Sequence, residues 1–134
     1  LKTKGINIIN SNKLNKLENN NQTAFKYNID SYVQEGNLTE IRGWSFIENV
    51  DALYTSTDAV LLKADIGIKQ QTEKIYRPDV KKVFNSGNNL EFVGFKSTII
   101  TDDLKAGDYS IAIYLKNNEK EVIIKTDRKI TIKE

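Results

Sequence analysis

Apolar and polar side chains alternate with a period of two along most of the chain after residue 24. The segment TAFKYNID alternates in this way, and so does YSIAIYL, in which Tyr109, Ile111 and Ile113 share one face. This is the period of a β-strand with one buried face, because successive side chains point to opposite sides of a sheet. Ala112 and Tyr114 are therefore expected on the other face of the same strand.

Turn residues divide the chain into about seven or eight short strands at the spacing of roughly 8–12 residues that is typical of a sandwich. Residues 35–37 (Glu-Gly-Asn) are predicted to close one hairpin, and a second hairpin-like unit runs over residues 58–76 with Gly67 near its turn. Further strands are predicted in FVGFKSTII, EVIIKT and RKITIKE. The predicted fold is all-β, an immunoglobulin-like antiparallel β-sandwich.

One stretch, RPDVKKVFNSG, has helical rather than strand periodicity. Pro78 suits a first helical turn, where its missing N–H costs nothing, and Asp79 suits the positive end of the helix. Val80, Val83 and Phe84 would form its apolar face. We predict one short helix near residues 78–85.

The first 24 residues differ from the rest because they are rich in asparagine and poor in large side chains. Asparagine competes with regular structure through local side-chain hydrogen bonds. Isolated isoleucines could form a short strand, and Leu14 with Leu17 one helical turn. We expect a linker or loosely attached segment over residues 1–24, followed by a single sandwich domain over residues 25–134.

The single tryptophan, Trp44, lies beside Gly43 in the predicted strand EIRGWSFI. A large side chain on an inner strand can span the gap of about 10 Å between two packed sheets, so we predict a buried indole. An exposed indole that stacks on a sugar ring is the alternative. The predicted core comprises Trp44, Phe46, Phe95, Tyr109, Ile111 and Ile113.

Composition and charge narrow the possible functions. The chain has 20 Lys and Arg against 18 Asp and Glu, interspersed, which does not favour a nucleic-acid partner. It lacks cysteine and histidine, which excludes disulfides, thiol chemistry and the commonest general base and transition-metal ligand. No membrane span and no cofactor are expected, and Lys and Glu along the edge strands favour a monomer. Because the chain begins with leucine and has no methionine, we expect a segment of a longer protein.

Carboxylates are the only candidate catalytic groups that remain. Glycoside hydrolysis needs two of them facing each other about 5 or 6.5–9.5 Å apart in a cleft, and the turn aspartates have no spacing that argues for this. We therefore expect no enzymatic activity from this segment. Calcium held by turn aspartates such as Asp102 and Asp103 is a disfavoured alternative.

The string YRPDV, residues 76–80, has two interpretations. Arg77 could hold a phosphate or uronate by two parallel hydrogen bonds while Tyr76 stacks on a ring. Alternatively, Arg77 pairs with a carboxylate and Asp79 caps the helix, which we favour because surface ion pairs and caps are common. The candidate ligand contacts are Arg42, Tyr54, Tyr76, Arg77, Asp79 and Tyr114.

Five strings in a fixed order carry a family resemblance: IRGWSFIENVD, AVLLKAD, IYRPDVKKVF, FVGFKSTI and LKAGDYSIAIYL. Together they resemble a β-sandwich accessory domain of cell-envelope proteins from low-GC Gram-positive bacteria. The resemblance covers residues 25–134. The sequence departs from that pattern at Val93, where a serine is expected, and at Lys81, where a threonine is usual.

The resemblance implies a non-catalytic accessory role. In that family the domain is appended to glycosyltransferases, teichoic-acid-type polymerases or polytopic membrane proteins. It implies a spacer or docking module that contacts other domains of the parent protein or a neighbouring envelope protein. The expected location is extracytoplasmic or at the cell envelope, with a cytoplasmic position left open. The alternative function is a carbohydrate-binding module for a cell-wall or capsular polymer.

Overall fold

The computed structural model describes residues 8–18, 23–84 and 87–133. In these ranges the chain forms nine strands and two short helices, with single 3-10 turns at Ala52–Tyr54 and Thr101–Asp103. The elements are β1 (Ile8–Ile9), α1 (Ser11–Glu18), β2 (Phe25–Glu35), β3 (Leu38–Ile47), β4 (Ser56–Lys63), β5 (Ile66–Lys69), β6 (Gln71–Ile75), α2 (Pro78–Phe84), β7 (Gly94–Ile100), β8 (Gly107–Lys116) and β9 (Glu121–Ile132). None of these helices is long and apolar enough to cross a membrane.

The strands form two antiparallel sheets, which confirms the predicted all-β sandwich. One sheet has the order β1-β5-β4-β8-β9 and the other the order β2-β3-β7-β6. The first hairpin turns as predicted, with Glu35 paired to Leu38. The second unit differs, because its turn lies at residues 64–65 and Gly67 is buried within β5. After β5 the chain crosses to the other sheet, where β6 pairs with β7.

The core between the sheets is aliphatic with a few aromatic rings. Ile41 and Ile47 of β3 meet Ile111, Ile113 and other side chains of the five-stranded sheet there. The predicted core residues Phe95, Tyr109, Ile111 and Ile113 all lie in this cluster. Ala112 and Tyr114 lie on the opposite face of β8, as the alternation predicted. Burial of each large apolar side chain contributes about 1.5–3 kcal/mol before entropy is counted.

Trp44 does not span the gap between the sheets as predicted. Ile41 and Ile47 already take the inner face of β3, so the alternate positions Trp44 and Phe46 point to the outer side of the four-stranded sheet. There the half-buried indole packs against Phe84 of α2 with 5.3 Å between ring centroids. Trp44, Phe46 and Phe84 therefore cover an outer face and not the central core.

Gly43, beside the tryptophan, is required by close packing. A Cβ at this position would lie 2.2 Å from the backbone oxygen of Asn28 and 3.2 Å from the Phe95 ring. The register between β2 and β3 shifts next to this point, between Ile29 and Ser31, which marks a β-bulge. The glycine thus permits β2 and the Phe95 ring to approach β3 closely.

Both outer faces of the sandwich are covered by a short helix. Helix α2, confirmed close to its predicted position, covers the four-stranded sheet through the buried Val80. Helix α1 covers the five-stranded sheet through Leu14 and Leu17. Residues 8–18 are therefore not a free linker. They form the short strand and the helix that the isoleucines and leucines left open in the sequence, and they pack on the sandwich because two leucines three positions apart share one helical face. Residues 1–7 and 19–22 of the predicted linker lie outside the described residues.

Candidate functional site

The Arg77 side chain is held by two aspartates. Its Nε and Nη2 donate to the two carboxylate oxygens of Asp79 at 2.9 and 2.8 Å, and Nη1 donates to Asp30 at 2.5 Å. Asp79, and then Asp30, raise the pKa of Arg77, and the hydrogen bond from Arg77 lowers the pKa of Asp79. The Nε–Nη2 edge of the guanidinium, which could bind a phosphate or uronate, is therefore occupied by Asp79. This is the structural interpretation favoured from the sequence.

Gly94 makes room for this arrangement. A Cβ on Gly94 would lie 2.5 Å from Cγ of Arg77 and 2.7 Å from the backbone oxygen of Ile75. The backbone N–H of Arg77 also donates to the carbonyl of Glu91 at 2.6 Å. The strings YRPDV and FVGF thus form one structural unit that ties β2, α2 and the segment before β7 together.

Three chain segments meet at the end of the sandwich next to this unit. The N–H of Ala52 donates to the carbonyl of Asn89 at 2.8 Å, and Lys74 donates to the carbonyl of Ala52 at 2.6 Å. The N–H of Asn89 also donates to Asp51, which lowers the pKa of that carboxyl group. The turn at Ala52–Tyr54, the end of β6 and the segment before β7 are therefore fixed relative to each other.

These three segments carry exposed apolar side chains. Tyr54 is 78% and Tyr76 55% exposed, and Leu53 and Phe92 are exposed as well. The Tyr76 and Phe92 rings lie 5.3 Å apart at a tilt of 50°. We call Leu53, Tyr54, Tyr76 and Phe92 the aromatic end. Sequence reasoning missed Leu53 and Phe92, since nothing in their local strings separates an exposed from a buried apolar residue.

Tyr114 cannot serve as a surface ligand contact. It is buried beneath α1, and its hydroxyl donates to the Glu121 carboxylate. Burial, together with this partner, raises the pKa of Tyr114 to about 12. Burial also acts to raise the pKa of Glu121, but hydrogen bonds from Tyr114 and Lys13 outweigh it and leave that pKa below its usual value. The prediction of a ligand role for Tyr114 is corrected because α1 covers its ring.

Arg42 is exposed on the outer face of the four-stranded sheet and is also engaged. Its Nε donates to Glu40 at 2.7 Å, and this hydrogen bond lowers the pKa of Glu40. Of the candidate contacts, the structure places Tyr76, Arg77 and Asp79 together, with Tyr54 on an adjoining segment. Arg42 and Asp79 are also exposed but are engaged in ion pairs, so the exposed rings of Tyr54 and Tyr76 are the better candidates for a contact surface.

The acidic residues of the turns were considered as ligands for calcium. No group of three or more carboxylates in the described part of the chain is arranged to hold a metal ion. Asp102, one of the turn aspartates considered for calcium, accepts a hydrogen bond from the Asn37 side chain at 2.8 Å. Two surface grooves, of about 410 and 440 Å³, lie on either side of α1 and have both acidic and basic side chains in their walls.

No family model, curated protein or solved structure matches this chain. Its function must therefore be inferred from its geometry and from the resemblance of its sequence to envelope accessory domains.

Proposed function

We propose that this chain is a non-catalytic interaction domain of a larger bacterial cell-envelope protein and that it docks through the aromatic end. The observation that carries the proposal is the group of exposed apolar side chains on three segments that hydrogen bonds hold in place. Clustered exposed apolar surface marks interaction sites in soluble proteins, whereas single exposed apolar residues need no explanation. Tyrosine and phenylalanine are also enriched where protein surfaces meet.

The partner we propose is another domain of the same parent protein. Interfaces between domains of one chain resemble transient protein–protein interfaces, with an apolar centre and a polar rim. Here the polar residues Asp51, Asn89 and Glu91 lie on the same segments as the aromatic end and could supply part of such a rim. The resemblance to envelope accessory domains supports the location at the surface of a Gram-positive bacterium.

The order of the strands supports an immunoglobulin-like fold as part of this proposal. The arrangement β2-β3-β7-β6 facing β5-β4-β8-β9 corresponds to the immunoglobulin sheets ABED and C′CFG. Near the start of β8, the Tyr109 hydroxyl donates to the carbonyl of Lys105 at 2.8 Å. This contact has the form of the tyrosine corner of that fold class. Such folds commonly serve as recognition and spacer modules, which is an argument from analogy.

Hydrogen exchange can test the docking surface. We would compare this chain alone with the same chain joined to the other domains of its parent. Amides of residues 52–54, 74–77 and 90–93 should exchange more slowly in the longer protein, while those of β9 should not change. Tyr54→Ser with Tyr76→Ser should remove the added protection. Val33→Ser is the control, since Val33 is 52% exposed, close to the 55% of Tyr76, but lies on β2. Equal exchange in both preparations would refute docking.

The alternative function, a carbohydrate-binding module, has one observation in its favour. Tyr54 and Tyr76 are aromatic and exposed, and such rings can stack on sugars. Against it, Trp44 and the other four of the six tyrosines are buried or half-buried, which leaves no broad aromatic platform among the described residues. Sedimentation with purified cell-wall polymer decides the matter. Binding that is lost in Tyr54→Ala/Tyr76→Ala but kept in Val33→Ala would favour the glycan function over docking.

A further inference from the structure

The outer face of the five-stranded sheet is apolar and is covered by one short segment. This segment, residues 8–18, comprises β1 and α1, and we call it the strap. Beneath it lie the buried side chains of Val60, Leu62, Ala112, Tyr114 and Ile123. The strap itself contributes only Ile9, Leu14 and Leu17 to this cluster. If the strap detached, most of this apolar sheet face would become accessible to solvent.

The strap is weakly held for its length. Its helix, SNKLNKLE, has only eight residues, three of which (Ser11, Asn12 and Asn15) are weaker helix formers, and isolated helices shorter than about 12–15 residues are marginal in water. Strand β1 adds only the pairs Ile8 with Ile68 and Ile9 with Gly67. The burial of three apolar side chains must therefore offset much of the conformational entropy that is lost when the whole segment is ordered. Segments with so few contacts open locally before the rest of a domain unfolds.

Two ion pairs fix the direction of the strap on the sheet. Lys13 lies 2.9 Å from Glu121 and Glu18 lies 2.9 Å from Lys125, so both pairs join α1 to β9. A helix docked in the reverse direction would place like charges together. Helix α2 has the opposite order, with Asp79 before its lysines, and does not match this face. Among the described helices, the complement to the face is α1 itself.

We propose that this face is an exchange site at which the strap of a second copy replaces the chain's own strap, giving a reciprocal dimer. Each strap then makes the same contacts with the partner copy that it makes within its own chain. Exchange therefore needs no new interface, and its extent depends on protein concentration and on strap opening. The expectation of a monomer rests on the Lys and Glu side chains along the edge strands. Exchange uses the outer sheet face and the edge of β5 that β1 already occupies, so it adds no strand pairing to the outermost edges.

Charge reversal tests the exchange. The strap variant carries Lys13→Glu and Glu18→Lys, and the face variant carries Glu121→Lys and Lys125→Glu. Each variant alone brings like charges together, whether its strap binds in its own chain or in an identical copy. In a mixture, every strap meets a complementary face only in the mixed dimer. The variant with all four substitutions restores both pairs within one chain and is the control.

Native mass spectrometry of the mixture should show about tenfold more dimer than either variant alone at the same total concentration, a ratio that corresponds to about 1.4 kcal/mol. The variant with all four substitutions should return to the wild-type dimer fraction. Near-UV circular dichroism checks that each variant folds. If the Glu121 change disrupts Tyr114, the pair Glu18→Lys and Lys125→Glu repeats the test without touching it. A mixture with no more dimer than its components overturns the proposal, as would α1 amides that exchange as slowly as those of β8.

Discussion

Replacing Thr39 by valine is expected to stabilise the protein. Thr39 lies on the inner face of β3 with no exposed surface, and its hydroxyl oxygen has no hydrogen-bond partner in the described part of the chain. A buried polar group without a partner costs about 1–3 kcal/mol. Valine has nearly the same volume and puts a methyl group in place of the hydroxyl. We therefore expect the free energy of unfolding to rise by about 1–2 kcal/mol.

Ser97 offers a matched control on the neighbouring strand. It is equally inaccessible, but its hydroxyl donates to the carbonyl of Gln71 at 2.9 Å and accepts from Thr72 at 3.2 Å. Ser97→Ala removes bonds that are made, so it should lower the free energy of unfolding by about 1 kcal/mol. The two substitutions delete the same chemical group and are expected to have opposite signs.

Urea unfolding at neutral pH measures both effects. With a slope of roughly 2 kcal/mol per M, Thr39→Val should raise the midpoint by roughly 0.5–1 M without a change of slope. Ser97→Ala should lower the midpoint. If Thr39→Val also lowers it, the hydroxyl has a stabilising partner such as a buried water, and the reasoning is refuted.

Three further substitutions test separate features. Gly94→Ala should lower the free energy of unfolding by about 1–3 kcal/mol, because the new methyl group overlaps the Arg77 stem, and an unchanged urea midpoint would contradict the close contact. Tyr109→Phe should cost about 1 kcal/mol through the lost bond to Lys105, and equal stability in urea would remove the role of that hydroxyl. Burial raises the pKa of Asp58, so its folded form favours the proton and its contribution to stability is lost as the pH rises through that pKa. Asp58→Asn should therefore stabilise the protein at pH 7, and this gain should shrink as the pH falls through the raised pKa and vanish near pH ~3, where Asp58 is protonated in both the folded and the unfolded state; the same gain at both pH values in urea unfolding would contradict it.

The period-two pattern was sufficient to predict the sandwich because one face of most of the strands meets the central core. It could not predict what covers the outer faces. Residues 59–62 and 111–115 are continuous apolar runs, and such runs are typical of strands that are buried on both sides. The outer face of these strands therefore also needs apolar side chains packed against it, and Leu14 with Leu17, three positions apart, supply them. The asparagines around them favoured a linker in isolation, but packing on the sheet overrides local propensity.

The candidate site was predictable only where its contacts are local. The pairing of Arg77 with Asp79 joins residues two positions apart, whereas Asp30 is 47 positions away and is brought near only by the sheet. Tyr54 and Tyr114 both follow apolar residues, yet one is exposed and the other is buried. The difference depends on α1, which covers β8, and the residues that flank each tyrosine in the sequence do not predict it.

The aromatic end lies at one end of the sandwich and the strap lies on the outer face of the five-stranded sheet, so the two proposals predict independent behaviour. Substitutions at Tyr54 and Tyr76 alter the surface beside the four-stranded sheet and touch none of the residues that bind the strap. They should leave the dimer fraction of the charge-reversal mixture unchanged. Conversely, reversing Lys13 and Glu18 should leave docking at the aromatic end intact. If either change affected both readouts, the effect would have to pass through the packed core between the sheets, and the two surfaces would form one coupled system.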